Sequence, residues 1–273
     1  MTDTPSRPKR VRVHHLAQMK ERGEPITMLT AYDAMTARVL DAAGVDLLLV
    51  GDSIGDNMLG HPTTLPVTVD EMIVATRAVA RSVSRVLVVA DMPFGSYEAN
   101  PEQALATGVR LMKEGEAHAV KLEGGAHRAG HVRLLTEAGI PVVGHVGFTP
   151  QSEHLLGGKR IQGRGEGAAE RLVADVRALE EAGAVAVVLE MVPGPVAEQV
   201  TQAVGVPTIG IGAGAGTDGQ VLVWIDMAGM SDWSPSFARR FAELGEALGR
   251  ATGEYVAAVK DRSFPGPEHT FDS

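Results

Sequence analysis

The chain contains the stretch Val86-Leu-Val-Val-Ala-Asp91, an unbroken apolar run that ends in a carboxylate. A continuous run of this kind is typical of a parallel strand, because a strand covered on both faces has no polar side to alternate with its apolar one. Seven other short runs share its form, and each ends in polar or glycine residues. The eight runs are residues 26–33, 45–53, 86–93, 119–124, 141–147, 184–193, 207–214 and 220–227.

Stretches with helical spacing of apolar residues separate nearly every pair of runs, and several end in glycine, as in Asp41-Ala-Ala-Gly44. Glycine ends a helix at little conformational cost. Eight strands alternating with helices predict an α/β fold, the (β/α)8 TIM barrel, whose chemistry lies at the carboxyl ends of the strands. We expect a single barrel domain over residues 13–262 and an extra helix at 11–23 before the first strand. A flexible tail is expected at 1–12 and an extended tail at 263–273.

The composition limits the classes of function. The net charge is −9, and nucleic-acid binding needs clustered Lys and Arg, so we expect no nucleic-acid partner. No cysteine is present, which excludes a disulfide framework and a thiolate nucleophile. No apolar run approaches the ~18 residues of a membrane span. These features predict a soluble, cytoplasmic protein with no membrane partner.

Carboxylates follow two neighbouring runs. Asp52 ends the stretch Leu47-Leu-Leu-Val-Gly-Asp52, and Asp91 ends the stretch quoted first. Either residue alone could be a helix N-cap. Together they point into one barrel mouth and would repel each other unless a cation bridged them. Mg²⁺ is commonly held by one or two carboxylates with water and substrate oxygens, so the pair favours a magnesium site.

A second pair of charges lies within one run, Val120-Lys-Leu-Glu-Gly124. The two-residue period of a strand places Lys121 and Glu123 on the same face. They could form a structural ion pair. Charges that point into a barrel are expensive to bury, which favours a functional interpretation, with Glu123 near the metal and Lys121 holding an anionic oxygen.

Glu190 and His145 are candidate groups for proton transfer. Glu190 ends the apolar stretch Val185-Ala-Val-Val-Leu-Glu190, and desolvation makes a carboxylate a better base. A buried structural glutamate is the alternative. His145 is either a core imidazole or a donor to substrate. The glycine-rich run 209–216 lacks the Gly-Lys-Ser/Thr of a phosphate loop, and glycines alone are weak evidence of a phosphate-binding site.

Nine short strings occur in order along the chain. They are Thr30-Ala-Tyr-Asp33, Val50-Gly-Asp-Ser53, Leu65-Pro-Val-Thr68, Ala90-Asp-Met-Pro-Phe94, Val120-Lys-Leu-Glu-Gly-Gly125, Gly144-His-Val-Gly147, Thr149-Pro-Gln151, Gln162-Gly-Arg164 and Phe264-Pro-Gly-Pro-Glu-His269. Together they closely resemble the ketopantoate hydroxymethyltransferase family, over residues 13–271. The resemblance implies a (β/α)8 barrel that assembles as a homodecamer.

The resemblance also implies site roles and a reaction. The family's metal ligands fall on Asp52, Asp91 and Glu123, its keto-acid contacts on Asp52, Ser53, Asp91 and Lys121, and its proton acceptor on Glu190. The implied reaction is Mg²⁺-dependent enolisation of 3-methyl-2-oxobutanoate. A one-carbon unit from 5,10-methylenetetrahydrofolate then gives 2-dehydropantoate (ketopantoate), the first step of pantothenate biosynthesis. The chain departs from the family pattern at Ile225, where the family usually has His, and in the glycine-rich stretch 210–216.

Two other interpretations stay open. One is another metal-dependent barrel for α-keto acids, such as the phosphoenolpyruvate mutase and isocitrate lyase group, many of whose lyases use a loop cysteine that this chain lacks. The other is a binding barrel that kept its shape but lost its chemistry. The intact charged residues at the strand ends argue against the second, because charges that are costly to hold together would be lost from an idle site.

Overall fold

A computed structural model describes residues 10–271 of the chain. Its central feature is a closed barrel of eight parallel strands, in which each strand pairs with the next and the last pairs with the first. The strands are β1 (Ile26–Thr30), β2 (Leu47–Val50), β3 (Leu87–Asp91), β4 (Ala119–Glu123), β5 (Val142–Gly147), β6 (Ala186–Glu190), β7 (Thr208–Ile211) and β8 (Gly219–Leu222). The predicted (β/α)8 barrel is therefore confirmed.

Helices separate most of the strands. They are α1 (Val13–Arg22), α2 (Ala34–Ala43), α3 (Ile54–Asn57), α4 (Val69–Ser82), α5 (Pro101–Lys113), α6 (Ala129–Glu137), α7 (Glu153–Leu156), α8 (Ala168–Glu181), α9 (Gly194–Ala203), α10 (Trp224–Ala228) and α11 (Leu244–Asp261). Single 3-10 turns lie at Ala126–Arg128, Pro150–Ser152 and Pro267–His269. Within the described part of the chain, no helix is both long and apolar enough to cross a membrane.

Local signals in the sequence explain several helix boundaries. At the start of α4, the Thr68 hydroxyl accepts the Glu71 N–H, and the Glu71 carboxylate accepts the Thr68 N–H, which is a capping box. Asn100 caps α5 ahead of Pro101, which fits the first helical turn. Gly44 ends α2 with φ 93°, a conformation that costs a residue without a Cβ very little.

The amino-terminal half of the barrel interior is filled by aliphatic side chains. Met28 of β1 and Leu47 and Leu49 of β2 belong to this buried cluster, and Leu16 and Met19 of α1 join it. The extra helix predicted before the first strand therefore packs against the barrel core. Because apolar groups fill this part of the barrel, the polar side chains are left to the carboxyl ends of the strands.

The end of the chain differs in detail from the sequence-based expectation. Residues 224–227 belong to the apolar run predicted as the last strand, but β8 stops at Leu222 and α10 takes up the rest. A short apolar run does not distinguish strand from helix by its pattern alone. In the tail predicted as extended, Pro267–His269 form one 3-10 turn, because proline is well suited to the first position of a turn.

The chain forms two compact units by contacts between residues, one that ends at Leu222 and one that begins at Val223. The predicted barrel domain extends to residue 262 because the barrel pattern assigns a helix to every strand. That domain boundary stays a prediction. The tail predicted at 1–12 lies largely outside the described residues.

Candidate active site

The charged residues predicted from the strand ends lie together in the structure. Five of them are at most 4% exposed, namely Asp52, Asp91, Lys121, Glu123 and His145. Glu190 is more open, with 16% of its side chain exposed. The parallel register explains the convergence, because it aligns Asp91 of β3 with Lys121 of β4 and Glu123 of β4 with His145 of β5.

Asp52 and Asp91 approach each other at the end of β2 and β3. The backbone N–H of Asp52 donates to Asp91 Oδ2 at 3.0 Å. Burial, reinforced by the negative charges of Asp91 and Glu123, raises the pKa of Asp52 well above its usual range. Burial also raises the pKa of Asp91, although the neighbouring Lys121 opposes the shift. The two carboxylates therefore lie where an additional positive charge is favourable.

Lys121 provides one positive charge to this cluster. Its Nζ lies 3.0 Å from Asp91 Oδ1, so the carboxylate that it pairs with belongs to Asp91 and not to its strand neighbour Glu123. Burial alone would lower the pKa of Lys121, but Asp91, Glu123 and Asp52 outweigh burial and raise it. The ammonium group therefore stays charged. One lysine facing three carboxylates leaves the cluster with excess negative charge when all three are ionised.

His145 connects Glu190 to the rest of the cluster. Its Nε2 lies 3.2 Å from Glu190 Oε2, and its Nδ1 lies 3.1 Å from Lys121 Nζ and 3.5 Å from Glu123 Oε1. Burial and Lys121 lower the pKa of His145, but Glu123 and Glu190 outweigh them and raise it to about 9. The protonated, positively charged form of the ring is therefore favoured at neutral pH.

Ser53 follows Asp52 directly, at the start of the loop that contains α3. Its hydroxyl lies 2.8 Å from the hydroxyl of Tyr32, and Tyr32 is buried. Burial raises the pKa of Tyr32, so this phenol keeps its proton and can share it with Ser53. The contact gives Ser53 a fixed position beside the carboxylates.

Two neutral residues that sequence reasoning did not select also belong to the site. Gln151 lies in the 3-10 turn after β5, where its side-chain amide donates to Asp52 Oδ2 and its backbone N–H donates to Glu123 Oε2. Tyr97 hydrogen-bonds through its hydroxyl to Gln151 Oε1. The length of the loop after β5 is a signal for this region in the sequence. It does not assign a role to a neutral side chain.

The donor set fits a hard divalent cation. Asp52, Asp91 and Glu123 offer oxygen ligands. Because they are buried, their negative charges are costly in free energy unless positive charge lies nearby, and the single charge of Lys121 is too little to balance all three. Mg²⁺ typically takes one or two carboxylates and completes its shell with water and substrate oxygens. Within residues 10–271, no three or more His, Cys, Asp or Glu side chains already form a metal cage. Water and substrate would therefore have to complete the coordination.

The fold is shared with solved structures of low sequence identity. A 2,3-dimethylmalate lyase described as a member of the PEP mutase/isocitrate lyase superfamily superposes with a TM-score of 0.59 and 19% identity, covering 95% of this chain and 91% of its own. A phosphonopyruvate hydrolase in complex with oxalate and Mg²⁺ gives a TM-score of 0.60 and 14% identity, covering 95% of this chain and 93% of its own. These likenesses support the barrel architecture alone.

Relatives of much higher identity are named 3-methyl-2-oxobutanoate hydroxymethyltransferase. A protein of a Nocardioides species is 60% identical over 270 residues, covering 98% of this chain and 91% of the relative. One from Saccharopolyspora erythraea is 59% identical over 267 residues, covering 97% of this chain and 91% of the relative. The profile described as ketopantoate hydroxymethyltransferase matches residues 10–267. On this match and these identities, the chain belongs to the ketopantoate hydroxymethyltransferase family of transferases.

Proposed function

We propose that this chain catalyses transfer of a hydroxymethyl group to 3-methyl-2-oxobutanoate, which gives 2-dehydropantoate in the first step of pantothenate biosynthesis. The observation that carries the proposal is the buried cluster of carboxylates, lysine and histidine at the strand ends of a chain that belongs to this transferase family. The reaction has to remove a weakly acidic proton next to a ketone. It therefore needs a base and positive charge near the developing enolate oxygen.

Mg²⁺ is the proposed cofactor, with Asp52 and Asp91 as its ligands and Glu123 close by. When bound, Mg²⁺ would supply positive charge that stabilises the enolate more than the ground-state ketone. Lys121 carries a second positive charge beside Asp91 and is suited to bind an anionic substrate oxygen. Ser53, with its hydroxyl held by Tyr32, is suited to donate a hydrogen bond to the substrate carboxylate.

Glu190 is the proposed base for the proton on carbon three of the keto acid. Its carboxylate is oriented by His145 Nε2 at 3.2 Å and remains partly exposed. Exposure leaves room for a substrate, and the close approach of the imidazole limits the directions in which the carboxylate can point. His145 also contacts Lys121 and Glu123, so it connects the proposed base to the proposed metal ligands.

The one-carbon donor is proposed to be 5,10-methylenetetrahydrofolate. A homodecamer and a cytoplasmic location complete the proposal. These three statements rest on the family resemblance and not on a contact within the chain.

Product formation tests the proposed function. The purified protein is incubated with 3-methyl-2-oxobutanoate, 5,10-methylenetetrahydrofolate and Mg²⁺, and 2-dehydropantoate is measured by mass spectrometry. We expect product to require both substrates and to disappear with a chelator or in Asp91→Asn. The matched control is Thr201→Val, which removes a hydroxyl contact to Thr208 at the opposite end of the strands. Cleavage or rearrangement of a keto acid without folate would contradict the proposal and favour the mutase and lyase alternative.

A further inference from the structure

Gln151 touches two carboxylates that come from different strands. Asp52 follows β2, Glu123 ends β4, and Gln151 lies in the Pro150–Ser152 turn after β5. Gln151 is 7% exposed. Its Nε2 donates to Asp52 Oδ2 at 2.8 Å, and its backbone N–H donates to Glu123 Oε2 at 3.0 Å. One residue therefore fixes the positions of an oxygen of each carboxylate.

The orientation of the Gln151 amide is determined by its neighbours. Besides Asp52, Nε2 donates to the carbonyl oxygen of Met92 at 3.0 Å. Both partners of Nε2 are acceptors, and the partner of Oε1 is the hydroxyl of Tyr97 at 2.5 Å. A flipped amide would place its oxygen against two acceptors, so the observed orientation is the one that satisfies every donor. Both N–H donors of the amide are used within the protein, so the side chain has no donor left for substrate.

Tyr97 connects the same amide to Glu123 by a second route. It is 1% exposed. Its hydroxyl oxygen accepts the backbone N–H of Glu123 at 3.2 Å while its proton is donated to Gln151. The guanidinium of Arg128 lies 5.3 Å from the centre of the Tyr97 ring, a stacking contact that restrains the ring. Hydrogen bonds therefore fix the hydroxyl of Tyr97, and the contact with Arg128 restrains its ring.

The uncharged character of Gln151 matters at this position. Asp52 and Glu123 repel each other when ionised, which contributes to the raised pKa of Asp52. A lysine here would compensate the carboxylates and weaken their attraction for a cation. A glutamate would add a further negative charge. Gln151 donates to Asp52 from its neutral side chain and to Glu123 from its backbone N–H. It therefore holds both carboxylates in place and leaves their negative charge available for a cation.

We propose that Gln151 is a positioning residue that holds Asp52 and Glu123 in the arrangement that binds a divalent cation, and that Tyr97 holds Gln151. The inference rests on the proposed function in so far as it takes these carboxylates to bind Mg²⁺. Partners that orient metal ligands typically contribute 10- to 100-fold to metal affinity. Tyr97 acts through Gln151 and is expected to contribute in the same direction and less.

The test measures binding of the metal alone to the full chain. Isothermal titration with Mg²⁺ and the electron paramagnetic resonance spectrum of bound Mn²⁺ are recorded for wild type, Gln151→Met and Tyr97→Phe. Gln151→Met keeps the length of the side chain without its donors. We expect Mg²⁺ affinity to fall roughly 10- to 100-fold in Gln151→Met, with an altered Mn²⁺ spectrum. Thr201→Val, which also loses a side-chain hydrogen bond, should match wild type in both measurements.

The outcomes separate this inference from the proposed function. Wild-type protein that binds no Mg²⁺ would overturn the proposed metal site and the inference with it. Binding by wild type together with unchanged affinity and spectrum in Gln151→Met would overturn the inference alone. If Gln151→Met does not fold, as judged by circular dichroism, Tyr97→Phe decides. Tyr97→Phe removes one hydroxyl and leaves the carboxylates and Gln151 in the chain, so wild-type binding in that variant would then overturn the inference.

Discussion

Replacing Lys121 by methionine removes the positive charge from the buried cluster at nearly constant side-chain volume. Lys121 Nζ lies 3.0 Å from Asp91 Oδ1, and both side chains are about 5% exposed. With an effective dielectric constant of ~20, two unit charges at that distance attract by about 5 kcal/mol. Removal of one partner of a buried pair typically costs about 3–5 kcal/mol, because the other charge is left uncompensated. We therefore expect Lys121→Met to lose a comparable amount of stability without metal.

The assay is thermal unfolding followed by circular dichroism, at one protein concentration and with a chelator present. For a chain of this size, 1 kcal/mol corresponds to roughly 2–4 °C, so the expected fall in Tm is roughly 6–20 °C. The loss should shrink as the pH is lowered. Without Lys121 the pKa of Asp91 in the folded variant rises further, so the folded variant binds a proton at a higher pH than the unfolded chain does. Its free energy of unfolding therefore increases as the pH falls toward the pKa of the carboxyl group in the unfolded chain.

The double variant Lys121→Met/Asp91→Asn provides the matched control. It removes both charges, and replacement of a whole buried pair by neutral groups is often neutral or stabilising. We expect it to recover most of the Tm lost in Lys121→Met. A single variant that melts with wild type, or a double variant no more stable than the single one, would refute the electrostatic account of the cluster.

Two other predictions concern residues outside the cluster. Burial lowers the pKa of His118 to about 4, and its Nδ1 accepts the Val88 N–H; below pH 6.5 the unfolded chain therefore binds a proton that the folded chain does not. As the pH is lowered from about 6.5 to 4, the free energy of unfolding should therefore fall by roughly 1–2 kcal/mol, allowing for partial solvent screening. Urea unfolding across that range should show a smaller fall for His118→Asn. An equal pH dependence of the free energy of unfolding in the variant and in wild type would contradict this account. Thr68→Ala removes the hydroxyl that accepts the Glu71 N–H and should cost about 1 kcal/mol, whereas an equal urea midpoint would show that the cap contributes nothing.

The barrel could be predicted from the sequence because its strands are buried on both faces. Val86-Leu-Val-Val-Ala-Asp91 has no polar residue before its end, and the structure buries all five residues of β3. The same logic located most of the site, because the carboxyl ends of parallel strands converge whatever the loops do. The strand ends identify Asp52, Asp91 and Lys121 without any knowledge of their contacts.

The pairing of side chains could not be predicted. Strand period places Lys121 and Glu123 on one face, but the barrel register sets Lys121 beside Asp91. The sequence predicts apolar neighbours for Glu190, and the structure places its carboxylate against His145. Such pairs depend on the register between strands far apart in the chain, which the pattern within a single strand does not encode.

The neutral residues of the site carried even less signal. Gln151 and Tyr97 lie in loops, outside any periodic pattern, and neither is charged. Their role follows from hydrogen-bond geometry between segments 26 to 99 residues apart. After β8 in the chain, Ile225 lies in α10 and not in a strand, because an apolar run that short suits either element.

The most direct test of the proposed chemistry is exchange of the carbon-three proton of 3-methyl-2-oxobutanoate with deuterated solvent. It reports enolisation without carbon transfer, so it needs Mg²⁺ but no folate, and it can be followed by proton NMR. Wild-type protein is expected to catalyse the exchange. Glu190→Gln keeps the shape of the side chain and removes its basic oxygen, so its rate should fall by about 10²–10⁴ while Mg²⁺ binding is retained. Exchange at the wild-type rate in Glu190→Gln would contradict the account and make His145 the leading candidate for the base.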